Sequence, residues 1–244
     1  MKTVFARTPV LKDCSTHYCP GCGHGIVHRL IAEIVEELGI RSKTIGIAPV
    51  GCAVLAYNYL DVDMVEVAHG RAPAVATGMK RVRPDRVIFS YQGDGDLASI
   101  GGNEILHAAN RGEQITVIFV NNAVYGMTNG QMAPTTLLRQ VTATTPAGRE
   151  ARLEGYPLKV AELLAMLPGA TFVERCSVHN SAHVIKTKKA ITQAFEHQIS
   201  KAGGLALVEV LSPCPTYWRM APRQAMQWIV SDMIPVYPLG RLKG

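Results

Sequence analysis

Gln92-Gly93-Asp94-Gly95-Asp96 and, further along, Asn121-Asn122-Ala123-Val124 decide how this 244-residue chain folds. Each stretch closes a short, apolar, β-branched run: Arg86-Val87-Ile88-Phe89-Ser90-Tyr91 before the first, Ile115-Thr116-Val117-Ile118-Phe119-Val120 before the second. A helical stretch ending at Arg111-Gly112 separates them, so the runs read as neighbouring parallel strands joined by a crossover helix. In an open parallel sheet ligands bind beyond the carboxyl ends of the strands, and both stretches emerge there. Gly93 and Gly95 free the turn for unusual backbone angles and let main-chain N–H groups approach phosphate oxygens, while a helix beginning near Ala98 adds its positive end. Magnesium takes oxygen ligands in a tight octahedron and leaves places for phosphate and water. A carboxylate, a carboxamide oxygen and a backbone carbonyl would be the protein's share. Gly-Asp-Gly-Asp alone is also a common tight turn, and Asn-Asn a common strand-end turn. Their succession across one strand–helix–strand unit points to a divalent cation and a diphosphate.

Four cysteines stand beside Gly or Pro. Cys19 and Cys22 form Cys-Pro-Gly-Cys, Cys52 follows Val50-Gly51, and Cys214 lies in Ser212-Pro213-Cys214-Pro215. A Cys-x-x-Cys pair is half of a zinc site, a thioredoxin-like redox pair or half of an iron–sulfur site. The redox reading stays open because a helix from about Ile26 to Leu38 follows the pair. Cys52 argues for a cluster: it follows the strand-like run Thr44-Ile45-Gly46-Ile47-Ala48 and should emerge at the same sheet edge as Asp94. Four thiolates suffice for a four-iron, four-sulfur centre. Cys176 reads as a small buried hydrophobe, and Cys14 is unassigned. A chain of this length without a secretory segment argues against three disulfides.

The remaining pattern is that of an α/β protein with a mostly parallel sheet and helices on both faces, one domain over 1–244. Strands are expected at Met64 to Ala68, Thr171 to Val173 and Leu205 to Val210, and helices at Ala72 to Arg81, Leu158 to Leu167 and Val184 to Ile199. Gly126 to Gly155 has no steady periodicity, which marks a functional or partner-bound segment. No apolar run spans a bilayer, and Met1-Lys2-Thr3-Val4-Phe5-Ala6-Arg7 lacks a signal-peptide core, so a cytoplasmic location is expected. The formal charge of +6 is dispersed, and aromatic residues make up only 6% of the chain. That composition sets aside a nucleic-acid partner. Lys80-Arg81-Val82-Arg83 reads as a helix-end cap and Lys186-Thr187-Lys188-Lys189 as a solvated helix face.

Gly-Asp-Gly followed by Asn-Asn resembles the thiamine-diphosphate enzyme motif, which implies a thiamine-diphosphate-binding fold with magnesium on Asp94, Asn122 and the backbone oxygen of Val124. Tyr18-Cys19-Pro20-Gly21-Cys22-Gly23, Pro49-Val50-Gly51-Cys52, His69-Gly70-Arg71, Asn121 to Met127, Gly130-Gln131 and Pro213-Cys214-Pro215-Thr216 extend the likeness. With these the chain resembles the thiamine-diphosphate-binding β subunit of 2-oxoacid:ferredoxin oxidoreductases. The resemblance implies one four-iron, four-sulfur cluster on Cys19, Cys22, Cys52 and Cys214, and thiamine contacts at Gly51, Cys52, His69, Gly95, Asp96, Gly126 and Met127. It also implies oxidative decarboxylation of a 2-oxoacid, 2-oxoisovalerate or 2-oxoglutarate, to acyl-CoA and CO2, with coenzyme A as acyl acceptor and ferredoxin taking the electrons.

In such enzymes the glutamate that activates the aminopyrimidine comes from an α subunit, and position alone assigns it to none of Glu33, Glu66 or Glu104. The α subunit would complete the pocket, and small γ and δ subunits would carry electrons onward. His69 and Arg71 each have two uses, a diphosphate contact or an ordinary loop hydrogen bond or ion pair. His24 and His107 read as structural. Trp218, Arg219 and Arg223 read as the outer wall of a cluster or as terminal surface residues. Arg139 or Arg149 could hold the distal end of a dicarboxylate substrate. A cluster-free thiamine-diphosphate decarboxylase or synthase and a zinc-stabilised binding module are the competing readings. Anaerobically purified protein should be brown and carry roughly four irons per chain; a colourless product, with or without zinc, would reject the cluster.

Overall fold

In the computed structural model, which describes residues 6–200 and 203–244, seven strands form one continuous sheet in the order β2-β1-β3-β4-β6-β5-β7. In chain order the elements begin with α1 (His24–Glu37), β1 (Thr44–Ala48), α2 (Ala56–Tyr59), β2 (Asp63–Glu66), α3 (Ala72–Val82) and β3 (Val87–Gly93). A π-helical turn, Gly95–Ile100, leads into α4 (Gly102–Asn110) and β4 (Thr116–Asn121). Then come α5 (Ala151–Glu154), α6 (Val160–Ala165), β5 (Ala170–Ser177), α7 (Ser181–Ile199) and β6 (Leu205–Leu211). Short helices α8 (Pro215–Trp218), α9 (Pro222–Trp228) and α10 (Ile234–Val236) precede β7 (Gly240–Lys243). Met1 to Phe5, most of the stretch read for a signal sequence, lie outside the described residues.

β3 and β4 are parallel neighbours, with Gly93 paired to Val120. Every pairing is parallel except the last, where β7 runs antiparallel to β5. The α/β architecture is therefore the expected one, and β7 is the departure from a wholly parallel sheet. Alternation along β3 and β4 fills two cores. Phe89, Tyr91, Ile118 and Val120 face α1 and α7, whereas Ile88, Val117 and Phe119 face α3, α4 and α6. A third apolar group joins Val124, Leu137, Trp218, Ile229, Met233 and Tyr237 across the carboxyl edge of the sheet. Among the described residues no helix is long and apolar enough to cross a membrane.

Two local readings shift. Helical structure starts at Gly95, not near Ala98, because the Asp94 side chain accepts from the Gly95 N–H at 3.0 Å and caps the turn itself. Lys188 does not merely decorate a solvated face: its ammonium bonds Glu33 at 2.9 Å and Glu37 at 2.6 Å and fastens α7 to α1. Lys80 does cap its helix end, donating to the carbonyls of Pro84 at 3.1 Å and Arg86 at 2.6 Å.

One charged pair crosses the interior. Arg175 on β5 lies opposite Glu209 on β6, donates to it at 2.8 Å, and also pairs with Glu162. The other Glu209 oxygen accepts from the Asn121 amide at 2.7 Å, so the pair supports the end of β4. Removing one partner strands a buried charge. Arg175→Met should lower the unfolding free energy by about 3–5 kcal/mol, measured by denaturant titration, whereas an exposed control such as Arg152→Met should stay within about 0.5 kcal/mol of the parent.

Candidate active site

Five parallel strands deliver the candidate residues to one edge. The loop after β1 carries Gly51 and Cys52, the loop after β2 carries His69, and β3, β4 and β6 end at Asp94, Asn122 and Cys214 respectively. This is the placement that an open parallel sheet imposes.

Asp94 is buried, and its protein partners are neutral donors: the N–H groups of Gly95 at 3.0 Å and Val124 at 3.2 Å, and the Thr135 hydroxyl at 3.0 Å. Burial pushes its carboxyl up to about 7, with these hydrogen bonds opposing the shift. Asn122 faces it across the turn, and the Val124 N–H also reaches Asn122 Oδ1 at 3.3 Å. The turn is tight: Ala123 has φ +56 and is held by the Asn121 side chain, which accepts from its N–H at 3.1 Å. A left-handed residue other than glycine costs about 1–3 kcal/mol and is kept only where its surroundings fix it. Here Thr136 and Gln140 donate to the Ala123 carbonyl at 2.7 and 3.1 Å, and the Trp218 indole donates to the Asn122 carbonyl at 3.0 Å. A buried carboxylate beside a carboxamide oxygen, with no cation of the protein's own, is a donor set that suits a hard divalent ion.

A cavity of about 280 Å3 opens on Asp94 and Asn122. Gly51, Cys52, His69, Gly95, Asp96, Gly126 and Met127 all line it. Val124 does not; it is buried behind the turn. Asp96 is saturated, accepting from His69 Nδ1 at 2.5 Å, Gly70 N–H at 2.7 Å and Gln92 at 2.6 Å. It thereby sets the His69 ring and leaves Nε2 for the cavity, so the loop bond and the site position read for His69 coexist. Gly70 has φ +77, and a Cβ there would lie 2.7 Å from backbone atoms of Ile100 and Gly101. Only glycine lets the two loops close over Asp96.

Cys19, Cys22, Cys52 and Cys214 line a second cavity of about 180 Å3. Glycine again permits the approach: a Cβ on Gly23 would come 2.2 Å from Ser212 Oγ, and Gly21, with φ +77, would meet Pro222 at 2.6 Å. Gly23 N–H donates to the Pro213 carbonyl at 3.3 Å and ties the two cysteine loops together. Burial pushes Cys22 up to about 11 and Cys52 and Cys214 to about 12, so without a metal these groups are thiols. Among the described residues no three His, Cys, Asp or Glu side chains converge closely enough for a single metal ion. The two cavities share a wall made of His24, Cys52, Asn122, Gly126 and Met127.

Several assignments change. His24 belongs to both cavities, bonded through Nδ1 to the Tyr91 hydroxyl at 2.5 Å, and burial drops it to about 3, which keeps it neutral. Its neighbours form an aromatic group, Tyr18, His28 and Tyr59, that no sequence spacing announced. His107, in contrast, is exposed on α4. Arg71 pairs with Glu104 and lines neither cavity. Arg149 is no substrate-binding cation: it is buried and donates to five carbonyls, of Pro134, Thr136, Glu154, Gly155 and Tyr156. It organises the irregular segment from within. Arg139 is exposed, with φ +65, and lines neither cavity. Trp218 is buried behind Asn122; Tyr217 lines the thiol cavity, and Arg219 and Arg223 are exposed. Cys176 lies in the core and Cys14 is exposed.

Fold and edge define a parallel-sheet cofactor domain, and known proteins identify its class. Residues 49–210 match the thiamine pyrophosphate enzyme C-terminal TPP-binding domain. The ketoisovalerate oxidoreductase subunit VorA of Methanothermobacter thermautotrophicus is 52% identical over 97% of this chain and 49% of its own length. The 2-oxoglutarate synthase subunit KorB of Archaeoglobus fulgidus is 36% identical over 91% of this chain and 78% of its own. The solved 2-oxoglutarate:ferredoxin oxidoreductase of Magnetococcus marinus, with 2-oxoglutarate, coenzyme A and succinyl-CoA bound, superposes with a TM-score of 0.75 at 30% identity, covering 88% of this chain and 69% of that one. The chain belongs to the thiamine-pyrophosphate-binding family, among the subunits of 2-oxoacid oxidoreductases. It spans about half the length of the Methanothermobacter relatives it matches.

A carboxylate held near 7 makes cation binding pH-dependent. Below about 7 a proton on Asp94 would compete with a cation placed there, and above it the affinity should level off. Because this value lies above the ordinary 3.8, the cation-free fold loses stability as pH rises from 3.8 to 7. Calorimetry should show proton release on magnesium binding near pH 6.5; Asp94→Asn should abolish both the release and the binding while stabilising the cation-free protein at neutral pH.

Proposed function

We propose that this chain is the thiamine-diphosphate-binding β subunit of a 2-oxoacid:ferredoxin oxidoreductase, with magnesium on Asp94, Asn122 and the Val124 carbonyl and a four-iron, four-sulfur cluster on Cys19, Cys22, Cys52 and Cys214. One observation carries the reading: the cavity under Asp94 and Asn122 and the cavity of the four cysteines share a wall. A cofactor that generates reducing equivalents and a centre that accepts them singly need that proximity. A zinc module has no use for a second, cation-ready cavity, and the spread of the four thiols does not suit one metal ion. A four-iron cluster binds each thiolate through a different iron, so it does not require the four thiols to meet at one ion.

Thiamine diphosphate supplies, when bound, the electron sink for decarboxylating a 2-oxoacid. The protein's own part is positional. Gly95, Asp96, Ser99 and Ile100 of the turn line the cavity, and the helix start there would favour a diphosphate. Tyr125 closes the cavity over Gly95, where a Cβ would stand 3.0 Å from its ring. Met127 and Val50, both partly exposed, form an apolar rim at the mouth. Among the described residues no glutamate lines this cavity, which supports an activating carboxylate from a partner α subunit.

The lining also bears on substrate. Among the described residues it contains no lysine or arginine, and Arg149 is committed to backbone carbonyls. This favours an apolar 2-oxoacid, in keeping with the higher identity to the ketoisovalerate enzymes than to the 2-oxoglutarate ones. Coenzyme A, ferredoxin and the small electron-carrying subunits belong to the same assignment. Expressed alone and anaerobically, the chain should hold iron and bind magnesium thiamine diphosphate yet oxidise no 2-oxoacid. Reconstituted with its partner subunits, it should turn over 2-oxoisovalerate faster than 2-oxoglutarate or pyruvate. Full turnover by the isolated chain would reject the shared site, and preference for 2-oxoglutarate would reject the substrate assignment.

A further inference from the structure

The irregular segment between β4 and α5 reaches Asp94 through one side chain. Thr135 is fully buried, and its hydroxyl donates to Asp94 Oδ2 at 3.0 Å. The residue is held from both sides. Arg149 grips the carbonyls of Pro134 and Thr136 at 2.9 and 2.5 Å, and the Tyr237 hydroxyl donates to the Thr135 carbonyl at 2.7 Å. Tyr237 is itself fully buried and follows α10, at the end of the short-helix segment that starts at Cys214. The same segment supplies the Trp218 indole, which donates to the Asn122 carbonyl at 3.0 Å. The Asp94 carboxylate, through Thr135, and the Asn122 backbone are thus both braced from one carboxy-terminal layer.

We propose that Thr135 is a positioning residue of the cation site, orienting Asp94 through its hydroxyl, and that Tyr237 positions Thr135 in turn. This rests on the functional reading above, because it takes Asp94 as a magnesium ligand. The physical case is that a metal-binding carboxylate loses affinity when it can rotate, and its outer hydrogen bonds are what prevent rotation. Thr135 donates a neutral hydroxyl proton, so it fixes the oxygen without neutralising the charge that the cation requires. A lysine or arginine in its place would fix the carboxylate equally well and compete with the metal. Tyr237 works at one remove: its hydroxyl holds the Thr135 carbonyl, and backbone pinned by Arg149 and Tyr237 cannot slide the threonine away from Asp94.

The test uses anaerobically purified full-length holoprotein and measures magnesium-dependent binding of thiamine diphosphate by calorimetry, with iron content read on the same samples. Thr135→Val keeps the shape and removes the hydroxyl; it should weaken the magnesium-dependent affinity by about 10- to 100-fold with iron unchanged. Thr135→Ser restores the hydroxyl and should bind within a few-fold of the parent. Tyr237→Phe should fall between the two. Equal affinity in parent and Thr135→Val overturns the proposal. So does a loss shared by Thr135→Ser and accompanied by loss of iron, which would mark a purely structural role. A parent protein that binds no thiamine diphosphate with magnesium present would instead overturn the functional reading, before any variant is compared.

Discussion

A carboxylate out of water with no positive charge beside it governs the carboxyl end of this sheet. Leaving Asp94 ionised in that position is unfavourable by itself, and the protein meets the cost only in part, with neutral N–H and hydroxyl donors. That incomplete compensation leaves the place suited to an incoming cation. A site whose charge were already balanced by arginine would be more stable and would hold no metal. The neighbouring chemistry follows from the same economy of charge. His24 and His28 are kept neutral by burial, and Arg175, which is charged, is matched by Glu162 and Glu209 on the far side of Asn121.

The second constraint is steric. Three distant parts of the chain bring cysteines to one cavity, and the loops that do so pass within contact of each other at Gly21, Gly23 and Ser212. A Cβ at Gly21 or Gly23 would block that approach, which explains the glycines beside the cysteines. The short helices after Cys214 then roof the edge, burying Trp218, Met233 and Tyr237 against Val124 and Leu137. The roof excludes water from behind the turn and leaves the cavities in front of it.

The sequence disclosed the parts with local grammar. Strand periodicity placed β3 and β4 side by side, and residue type at strand ends picked Asp94, Asn122 and Cys52 as edge residues. What it could not disclose depends on contacts between distant segments. Thr135 looks like one of several threonines in a patternless stretch, and its relation to Asp94 exists only once that stretch folds back. Arg149 carried a charge that suggested a substrate, but five carbonyls surround it because an irregular backbone needs donors where no ladder supplies them. His24 stood next to the cysteine loop and read as structural, since helix spacing does not say what lies beyond the first turn. β7 is four residues on an edge, too short for alternation to register.

Gly126 is the one residue without a side chain in the wall that the two cavities share among the described residues. A single methyl group there would already touch Cys52 Sγ at 3.5 Å, Cys214 Sγ at 3.6 Å and the Asn122 amide at 3.6 Å. Bare backbone therefore stands at this point of the shared wall, within reach of two thiols and of the Asn122 carboxamide. A charge carrier whose passage probability decays steeply with barrier width would meet no side chain at that peptide. A bulky side chain at this position would thicken the wall, and glycine leaves it bare.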